Sequence, residues 1–440
     1  MLSSKFIIFF AVVTVLSFLI DFYVIYNYKN IFTNNKNKSI FYKTALIISI
    51  LLSIISFVNS IDRMFYHNII KDISNLLLMI TTIWFFPKLF FLPILFLKDV
   101  IKLILNLIKF LFKIDKNNSI TKNNQINRDN NQLDFESDSV KNSDLELNKE
   151  NNKITKREFL RDLTIGISSL PFIVVGYGVF VTTKEFQIIK QTLHLKNLPT
   201  SFENFKILQI SDLHSGSLSS NKLFLDTFLA IKKYKPDLIL VTGDFVNSNP
   251  EELKPYIEDL QKYNAKYGVY GCLGNHDHYM NDDKHQQLLK YIEMSGVKLL
   301  NNQTTKIYNG YEYINLAGVD NWGMNQQFGD FDKVSSEIDF STTSILMCHD
   351  PNNFRRFILN KIPIDITLSG HTHGGQIGLV SDRFNLLPVK LFYEFSAGKY
   401  QINNQYLYVN RGFGTTGPPL RIGINPEITI LTLVKDDSLS

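Results

Sequence analysis

The sequence predicts an α/β domain with two sheets, preceded by an α-helical transmembrane region. Hydrophobic residues make up 45% of the 440 residues. They are unevenly distributed, with long apolar runs in residues 1–115 and almost none in residues 116–155. Beyond residue 200, continuous apolar strands alternate with amphipathic helices, which is typical of α/β domains. A strand-rich half follows and predicts the second sheet.

Four apolar runs near the N-terminus are candidate membrane spans: residues 6–26, 44–58, 74–97 and 163–181. A helix of about 20 apolar residues crosses the hydrocarbon core of a bilayer. The third run contains Pro87 and Pro93, so we expect a kink or a break there. We assign residues 1–115 to a membrane region with three transmembrane helices. Residues 156–184 form a predicted fourth transmembrane anchor.

A basic helix and a polar linker connect the third and fourth runs. Four lysines recur at helical spacing between apolar residues and predict a basic amphipathic helix: Lys98, Lys102, Lys109 and Lys113. This helix either lies on an anionic leaflet or extends the third span into the cytoplasm. Residues 116–155 are rich in Asn, Asp, Lys and Ser and predict a disordered polar linker. The basic flank at 155–161 resembles a twin-arginine export motif, with Lys156 in place of one arginine.

The basic residues of the loops predict the orientation of the membrane region. Lysine and arginine are concentrated in the first loop and in the segment before the fourth anchor. The positive-inside rule places both of these in the cytoplasm. We therefore expect a multi-pass protein of the cell (inner) membrane, with the lipid bilayer as a partner and the C-terminal domain on the extracytoplasmic side.

Composition argues against two other classes of protein. The net charge is +5, which is small for this length, so no nucleic acid binding is predicted. The two cysteines, Cys272 and Cys348, exclude a framework of disulfides.

The C-terminal domain is expected to span residues 200–437, with strands that end in polar loops. Strands are predicted at residues 205–210, 238–241, 267–273, 297–300, 305–308, 312–316, 344–347, 364–368 and 406–409. Helices are predicted at residues 221–234, 251–263 and 286–294. Ligands bind at the carboxyl ends of strands in open α/β sheets, so the loops after these strands are where we expect the chemistry.

Five segments at predicted strand ends carry side chains that can bind metal. They are Asp212-x-His214, Asp244, Asn275-His276-Asp277, His349 and His371-x-His373. Each motif alone is a weak signal, but together they place many donors at one edge. Alternate residues of an extended chain point the same way. Asp212 and His214 can therefore reach one ion together, and so can the histidines of the last segment.

The donor set suits two metal ions rather than one. It comprises two carboxylates, one amide oxygen and four imidazoles: Asp212, Asp244, Asn275, His214, His349, His371 and His373. Two ions can share a bridging carboxylate within such a set. Nitrogen and oxygen donors without thiolate suit Mn²⁺, Fe or Zn²⁺. A pair of ions about 3.5–4 Å apart would clamp a phosphoryl group.

These motifs, in this order, resemble the calcineurin-like metallophosphoesterases over about residues 203–435. The similarity is greatest to membrane-anchored bacterial phosphodiesterases. It rests on the Ser-Gly-His-Thr-His-Gly-Gly-Gln segment at 369–376 and on two late motifs, Asn410-Arg411-Gly412 and Pro418-Pro419-Leu420-Arg421. The resemblance implies a four-layer α/β/β/α sandwich that follows the transmembrane region.

The resemblance also implies a role for each motif residue. One ion would be held by Asp212, His214, Asp244 and His373. The other would be held by Asp244, Asn275, His349 and His371, with Asp244 bridging. His276 would donate a proton to the leaving group, held in place by Asp277.

We expect hydrolysis of a phosphate ester at the membrane surface by attack of a metal-bound hydroxide. The substrate would be a phosphodiester or a pyrophosphate, with a lipid-linked compound among the candidates. Arg411 or Arg421 would either bind the substrate phosphate or support the fold. The alternative is a membrane-bound binding or scaffold protein with a vestigial metal site. Transport is a third class, but only Asp21 and Lys88 are ionisable within the predicted spans.

Overall fold

The structure is a computed structural model that describes residues 2–29, 35–63, 69–119, 156–323, 326–380 and 385–436. The chain divides into two compact units. The first comprises Met1–Val15, Leu51–Phe86 and Phe172–Ser440, and the second comprises Leu16–Ile50 and Pro87–Pro171. The linker predicted at 116–155 lies outside the described residues, apart from residues 116–119 at the end of a helix.

The N-terminal part is helical. Its helices are α1 (Leu2–Tyr28), α2 (Asn35–Ile61), α3 (Lys71–Leu89), α4 (Leu92–Ser119) and α5 (Lys156–Phe180). Three described segments are long and apolar enough to cross a membrane: Ile7–Tyr28, Lys36–Ile61 and Asp162–Lys184. No single helix covers the third predicted span at 74–97, because a turn separates α3 from α4. That turn follows Pro87 and precedes Pro93, where the sequence predicts an interruption.

Within the second unit, the ionisable residues of the predicted spans pair with each other. Lys88 Nζ lies 2.9 Å from Asp21 Oδ1, and both side chains are buried. Tyr23 donates its hydroxyl to Asp99 Oδ2 at 2.5 Å. Buried charges among apolar helices need such partners. The pairing suits helices that anchor the protein.

The C-terminal domain contains two six-stranded sheets. In spatial order, the first sheet consists of β1 (Gln187–Leu195), β16 (Glu427–Lys435), β2 (Phe205–Ile210), β3 (Leu238–Thr242), β4 (Val269–Cys272) and β5 (Lys298–Leu299). The second consists of β14 (Gly398–Ile402), β15 (Gln405–Val409), β11 (Ile366–Ser369), β10 (Ser344–Met347), β7 (Glu312–Gly318) and β6 (Gln303–Asn309). Two short ladders pair β8 (Trp322–Gly323) with β9 (Gln326–Gln327) and β12 (Leu379–Val380) with β13 (Asn385–Leu386).

The central strands of both sheets are parallel, so their carboxyl ends lie at one edge of each sheet. In the first sheet, β2, β3, β4 and β5 are parallel to one another. In the second sheet, β7, β10, β11 and β15 are parallel. Parallel strands need crossover connections, and the helices of the domain provide several of them: α6 (Lys222–Tyr234), α7 (Ile257–Gln261), α8 (Asp282–Met294) and α9 (Phe331–Ser336).

The helix predicted at 251–263 is correct only in part. Its first half consists of two 3₁₀ turns, Pro250–Glu252 and Lys254–Tyr256, and α7 follows them. Each turn contains a proline, which has no N–H to give to an α-helical hydrogen bond.

Three hydrophobic clusters establish the layers. The first joins Phe224 of α6 to Ile239 of β3 on the helical side of the first sheet. The second lies between the sheets, where Leu240 faces residues such as Leu316. The third joins Leu346 of β10 and its neighbours to Val334 of α9 and its neighbours. This is the four-layer α/β/β/α sandwich expected from the sequence, and that prediction of the fold is confirmed.

The end of α5 packs directly on the C-terminal domain within the first unit. Val175 and Val179 are fully buried against Leu420. The backbone N–H of Arg421 points at the carbonyl oxygen of Gly178 at 3.4 Å. Glycine allows this close approach of helix and loop because it has no side chain.

Replacement of Gly178 with alanine is expected to destabilise the protein. A Cβ there would lie 2.7 Å from both the Arg421 carbonyl oxygen and Leu420 Cδ1, so the helix and the loop must separate. We expect a loss of about 1–3 kcal/mol, the usual cost of overpacking, seen as a lower midpoint of thermal unfolding in detergent. Gly176→Ala is the matched control, because a Cβ there meets nothing within 4 Å. Equal midpoints for the two variants would contradict the packing described.

Candidate metal centre

The two sheets bring all the predicted metal ligands to one place. The ligands follow β2, β3 and β4 of the first sheet and β10 and β11 of the second: Asp212 and His214, then Asp244, then Asn275, then His349, then His371 and His373. Because these strands are neighbours in parallel ladders, the loops after them meet where the two sheets face each other.

Five of the predicted ligands have a left-handed backbone, with φ between 39° and 70°: Asp212, His214, Asp244, His371 and His373. Residues other than glycine rarely adopt this conformation, and it tends to occur at functional sites. The loops also approach one another closely. A Cβ on Gly274 would lie 2.2 Å from Asp244 Oδ1, so only glycine fits there. The chain thus turns sharply after each strand to direct its side chains inward.

The first donor group consists of Asp212, His214 and His373, which are all buried and whose ligand atoms lie within 4.8 Å of one another. His373 Nε2 lies 3.3 Å from Asp212 Oδ1. It also lies 3.1 Å from His214 Nε2. Two imidazole nitrogens at this distance need a shared proton or a cation between them.

The second donor group consists of Asp244, His349 and His371. His349 Nε2 lies 3.1 Å from Asp244 Oδ2. Asn275 joins this group, since its Oδ1 lies 2.8 Å from His371 Nδ1. Asp244 Oδ2 is also 3.4 Å from Nε2 of His214 in the first group. One carboxylate oxygen therefore lies between the two groups.

The hydrogen bonds of the histidines leave their inner nitrogens available to a metal. His349 Nδ1 donates to the carbonyl oxygen of Thr242 at 2.7 Å. His214 Nδ1 donates to Asn247 Oδ1 at 2.8 Å. An acceptor at Nδ1 fixes the tautomer in which Nε2 has a free lone pair. In both residues this Nε2 is the atom that faces a carboxylate.

The centre attracts positive charge. His349 Nε2 is buried between two carboxylates, 3.1 Å from Asp244 Oδ2 and 4.0 Å from Asp212 Oδ1. Burial lowers the pKa of His349, but the carboxylates of Asp244 and Asp212 outweigh it and raise the pKa to about 10. Burial likewise opposes ionisation of Asp244, yet the imidazoles of His349 and His276 hold its pKa well below the usual range. Buried carboxylates among imidazole nitrogens therefore fit divalent cations.

His276 lies at the open side of this centre. Its Nδ1 is 2.8 Å from the carbonyl oxygen of Asn247, and its ring centroid is 4.7 Å from that of His214. Burial lowers the pKa of His276 to about 4, so the ring is neutral at pH 7 in the free site. Asn275 and His371 are half-buried, as His276 is, whereas the other predicted ligands are buried. A ligand therefore approaches from the side of these three residues.

The expectation that Asp277 holds the His276 ring is wrong. The Asp277 carboxylate is buried and accepts backbone N–H groups instead, from Asp244 at 3.0 Å, Phe245 at 2.8 Å and Gly274 at 2.9 Å. Asp277 thus fixes the two loops that follow β3 and β4. A carboxylate with several N–H donors is satisfied without reaching the imidazole.

Of the two roles expected for Arg411 and Arg421, phosphate binding or support of the fold, the contacts of both side chains favour the second. Arg411 donates its Nε to the buried carboxylate of Glu427. The Arg421 side chain is fully buried. It donates to the carbonyl oxygens of Arg411 at 3.0 Å and Gly412 at 3.2 Å, and its Nη2 lies 3.3 Å from His373 Nδ1. Both arginines therefore support the fold through these buried contacts.

The sequence did not identify three residues that contact the site. Asn247 touches both His214 and His276. The Tyr393 hydroxyl lies 3.0 Å from His371 Nε2, and Asn275 donates to the Tyr279 hydroxyl at 2.8 Å. Asn247 follows Asp244 by three residues in one loop, so its position near the site could be predicted from the sequence.

Comparisons with known proteins match both parts of the chain. Residues 205–375 match the calcineurin-like phosphoesterase family. Residues 4–183 match the transmembrane domain of a probable calcineurin-like phosphoesterase family.

Individual relatives resemble the chain at moderate identity. It is 31% identical over 291 residues to the uncharacterized metallophosphoesterase YkuE of Bacillus subtilis, which covers 64% of this chain and 98% of the relative. It is 32% identical over 241 residues to an uncharacterized metallophosphoesterase of Campylobacter jejuni, covering 54% and 61%. It is 25% identical over 270 residues to a transmembrane protein with metallophosphoesterase domain of Danio rerio, covering 59% and 60%. The chain thus spans less than two thirds of the last two relatives.

Substitution of Asn247 with alanine is expected to weaken metal binding. The change removes the acceptor that fixes the His214 tautomer, and such losses typically cost about 10–100-fold in affinity. Calorimetric titration of the full-length protein with Mn²⁺ measures the change. Asn249→Ala is the control, because that side chain accepts the N–H of Glu251 in the same loop. An Mn²⁺ affinity of Asn247→Ala equal to that of the control would contradict the role given to Asn247.

Proposed function

The chain belongs to the calcineurin-like metallophosphoesterases, and we propose that it is a phosphoester hydrolase with two divalent ions, Mn, Fe or Zn. The observation that carries this proposal is the position of Asp244 between two donor groups. One group is Asp212, His214 and His373, and the other is His349, His371 and Asn275. Shared in this way, the seven predicted ligands suffice for two ions and exceed the needs of one.

A phosphate ester would bind at the half-buried side of the centre, and the residues there would have separate roles in its hydrolysis. Two divalent ions, when bound, supply Lewis acidity that stabilises charge on the phosphoryl oxygens and acidifies water. Asn275 offers a neutral oxygen beside His371. His276 faces the approaching substrate with Nε2, since its Nδ1 is held by Asn247. A bound phosphate ester would raise the pKa of His276 by its negative charge, and the ring would then carry a proton to the leaving group.

The substrate that best fits this position is a phosphodiester or a pyrophosphate near a bilayer, including one linked to a lipid. The candidate span Asp162–Lys184 ends directly before β1 of the catalytic domain. Its last turns pack on the loop that contains Arg421. The site is therefore held close to the membrane surface, where phosphate groups of lipids are abundant.

The proposed location is the inner membrane, with several spans and the catalytic domain on the extracytoplasmic side. One contact supports the relative placement of a loop and the catalytic domain in this topology, whichever side of the membrane they share. Lys71, at the start of α3, donates its ammonium group to the carbonyl oxygen of Ser215 at 3.1 Å. The connection between α2 and α3 then lies on the same side as the catalytic domain, as the positive-inside topology requires.

Hydrolysis of an aryl phosphodiester by the full-length protein should depend on Mn²⁺ and should disappear on chelation. Asp244→Asn is expected to lower kcat at least about 100-fold and to reduce bound Mn²⁺, because it removes the charge between the two groups.

His276→Ala should retain the metal but lower kcat by about 10²–10⁴-fold for alkyl leaving groups. Its effect should be smaller for p-nitrophenol, which leaves without a proton. Activity that survives both substitutions in one chain would refute the proposed function.

Digestion of intact spheroplasts with an added protease tests the orientation. The catalytic domain should be cleaved from outside, because the proposed topology exposes it there, while the segment at 116–155 should be protected until lysis. An immunoblot with antibodies to each segment gives the readout. Protection of the catalytic domain in intact spheroplasts, with cleavage after lysis, would reverse the topology.

A further inference from the structure

An apolar rim lies beside the predicted metal ligands. It consists of Leu379 in β12, Leu386 in β13, and Leu391 and Phe392 in the turn that follows. These side chains are 61%, 61%, 84% and 82% exposed, respectively. Large apolar side chains exposed together mark an interaction site, whereas single ones are ordinary.

The ladder presents its two leucines on one side. Leu379 and Leu386 are direct partners across the antiparallel β12–β13 pair, and direct partners point to the same face. The ladder is packed tightly at its base, where a Cβ on Gly378 would lie 2.7 Å from Leu387 Cδ2. The leucines are therefore held in place by the backbone beneath them.

The turn that completes the rim borders the metal centre. A Cβ on Gly375 would lie 2.7 Å from Val389 Cβ, so this turn sits tightly on the loop of the last two predicted ligands. Tyr393 directly follows Phe392, and its hydroxyl lies 3.0 Å from His371 Nε2. His371 is one of the half-buried residues that face the approaching substrate. The rim therefore flanks the entrance to the site.

The loop at the base of the rim packs near the end of a candidate membrane span, because Ile377 packs against the cluster that Val175 and Val179 of α5 form with Leu420. Gly378 donates its N–H to the carbonyl oxygen of Ile422 at 2.9 Å, and the N–H of Arg421 points at the Gly178 oxygen at 3.4 Å. Gly178 lies six residues before Lys184, the last residue of the span, a distance of about 10 Å when the α-helix ends at Phe180 and a 3₁₀ turn follows. An apolar face buried in the interfacial region of a bilayer reaches about 5–10 Å below the surface. The base of the rim is thus at the depth of that interface.

We propose that the apolar rim inserts into the leaflet of the membrane at which α5 ends. The occupant of the surface is lipid, because the loop beneath the rim packs on the cluster that joins the spanning helix to Leu420. Leucine and phenylalanine are suited to the boundary between headgroups and acyl chains. The covalent connection through α5 keeps the rim at that boundary.

Insertion would also select the substrate. With the rim in the leaflet, the entrance beside His371 lies at the level of the lipid phosphates. The site would then act on a phosphoester borne by a lipid, and this part of the inference rests on the proposed phosphoesterase function. The lipid would present its phosphate to the metal centre while its chains stay in the bilayer.

Fluorescence quenching tests the insertion directly. The full chain is labelled with an NBD fluorophore at Leu379→Cys or Phe392→Cys and reconstituted at one chain per nanodisc. The native Cys272 and Cys348 are buried, and labelling of the parent chain gives their background. We expect blue-shifted emission at both positions and quenching by lipids with a spin label near the headgroup. Tyr311→Cys, in a fully exposed turn, is the control and should show neither effect.

Two results would overturn the insertion. One is quenching at the rim no stronger than at Tyr311→Cys. The other is a blue shift without quenching by lipid, which would mean that protein covers the rim. A second copy of the chain is excluded from this measurement by the loading of the nanodiscs.

A second measurement tests whether the substrate is a phosphoester borne by a lipid. Leu391→Ser with Phe392→Ser should lower the hydrolysis of a lipid-borne phosphodiester in vesicles at least about tenfold relative to that of a soluble aryl phosphodiester. Met294→Ser removes an exposed apolar side chain of α8 and is the matched control. An unchanged ratio would overturn the lipid-borne substrate. Failure of the parent chain on both substrates would instead refute the proposed function, while the quenching result would still decide the insertion.

Discussion

The buried carboxylate of Asp277 joins the two loops on which the metal centre is built. It accepts the N–H groups of Asp244 and Phe245 after β3 and that of Gly274 after β4. Hydrogen bonds to a buried carboxylate are strong, and loss of the acceptor leaves several donors unsatisfied. The position of Asp244 between the donor groups, and the approach of Asn275 to His371, both depend on this one side chain.

The backbone of the centre is strained, and the strain has a geometric cause. Left-handed residues other than glycine cost about 1–3 kcal/mol each, and five predicted ligands share this conformation. Each turns the chain back immediately after a strand, so that side chains from two sheets reach a common point. The three hydrophobic clusters offset the cost by holding the strands rigidly. Metal binding would add stability to the native state by mass action.

The strands and ligands were predictable because their signals are local. Apolar strands followed by polar motifs predicted the two sheets and the seven candidate ligands that the structure brings together. The sequence left two roles open for Arg421, because the carbonyl oxygens that its side chain binds come together only in the folded loop. β1 was missed because it is an edge strand with exposed polar positions directly after a membrane helix. β16 (Glu427–Lys435) is a nearly continuous run of Ile, Leu, Thr and Val, and this composition is itself a strand signal in the sequence.

Helices α3 and α5 each contact a residue that neighbours the first donor group. On one side, Arg421 offers its N–H to Gly178 of α5 and its guanidinium to His373. On the other side, Lys71 of α3 binds the carbonyl oxygen of Ser215, the residue after a predicted ligand. A displacement of either helix would therefore act on a histidine of the centre through one intervening residue. The positions of these histidines and the packing of the two helices are thus coupled through shared contacts.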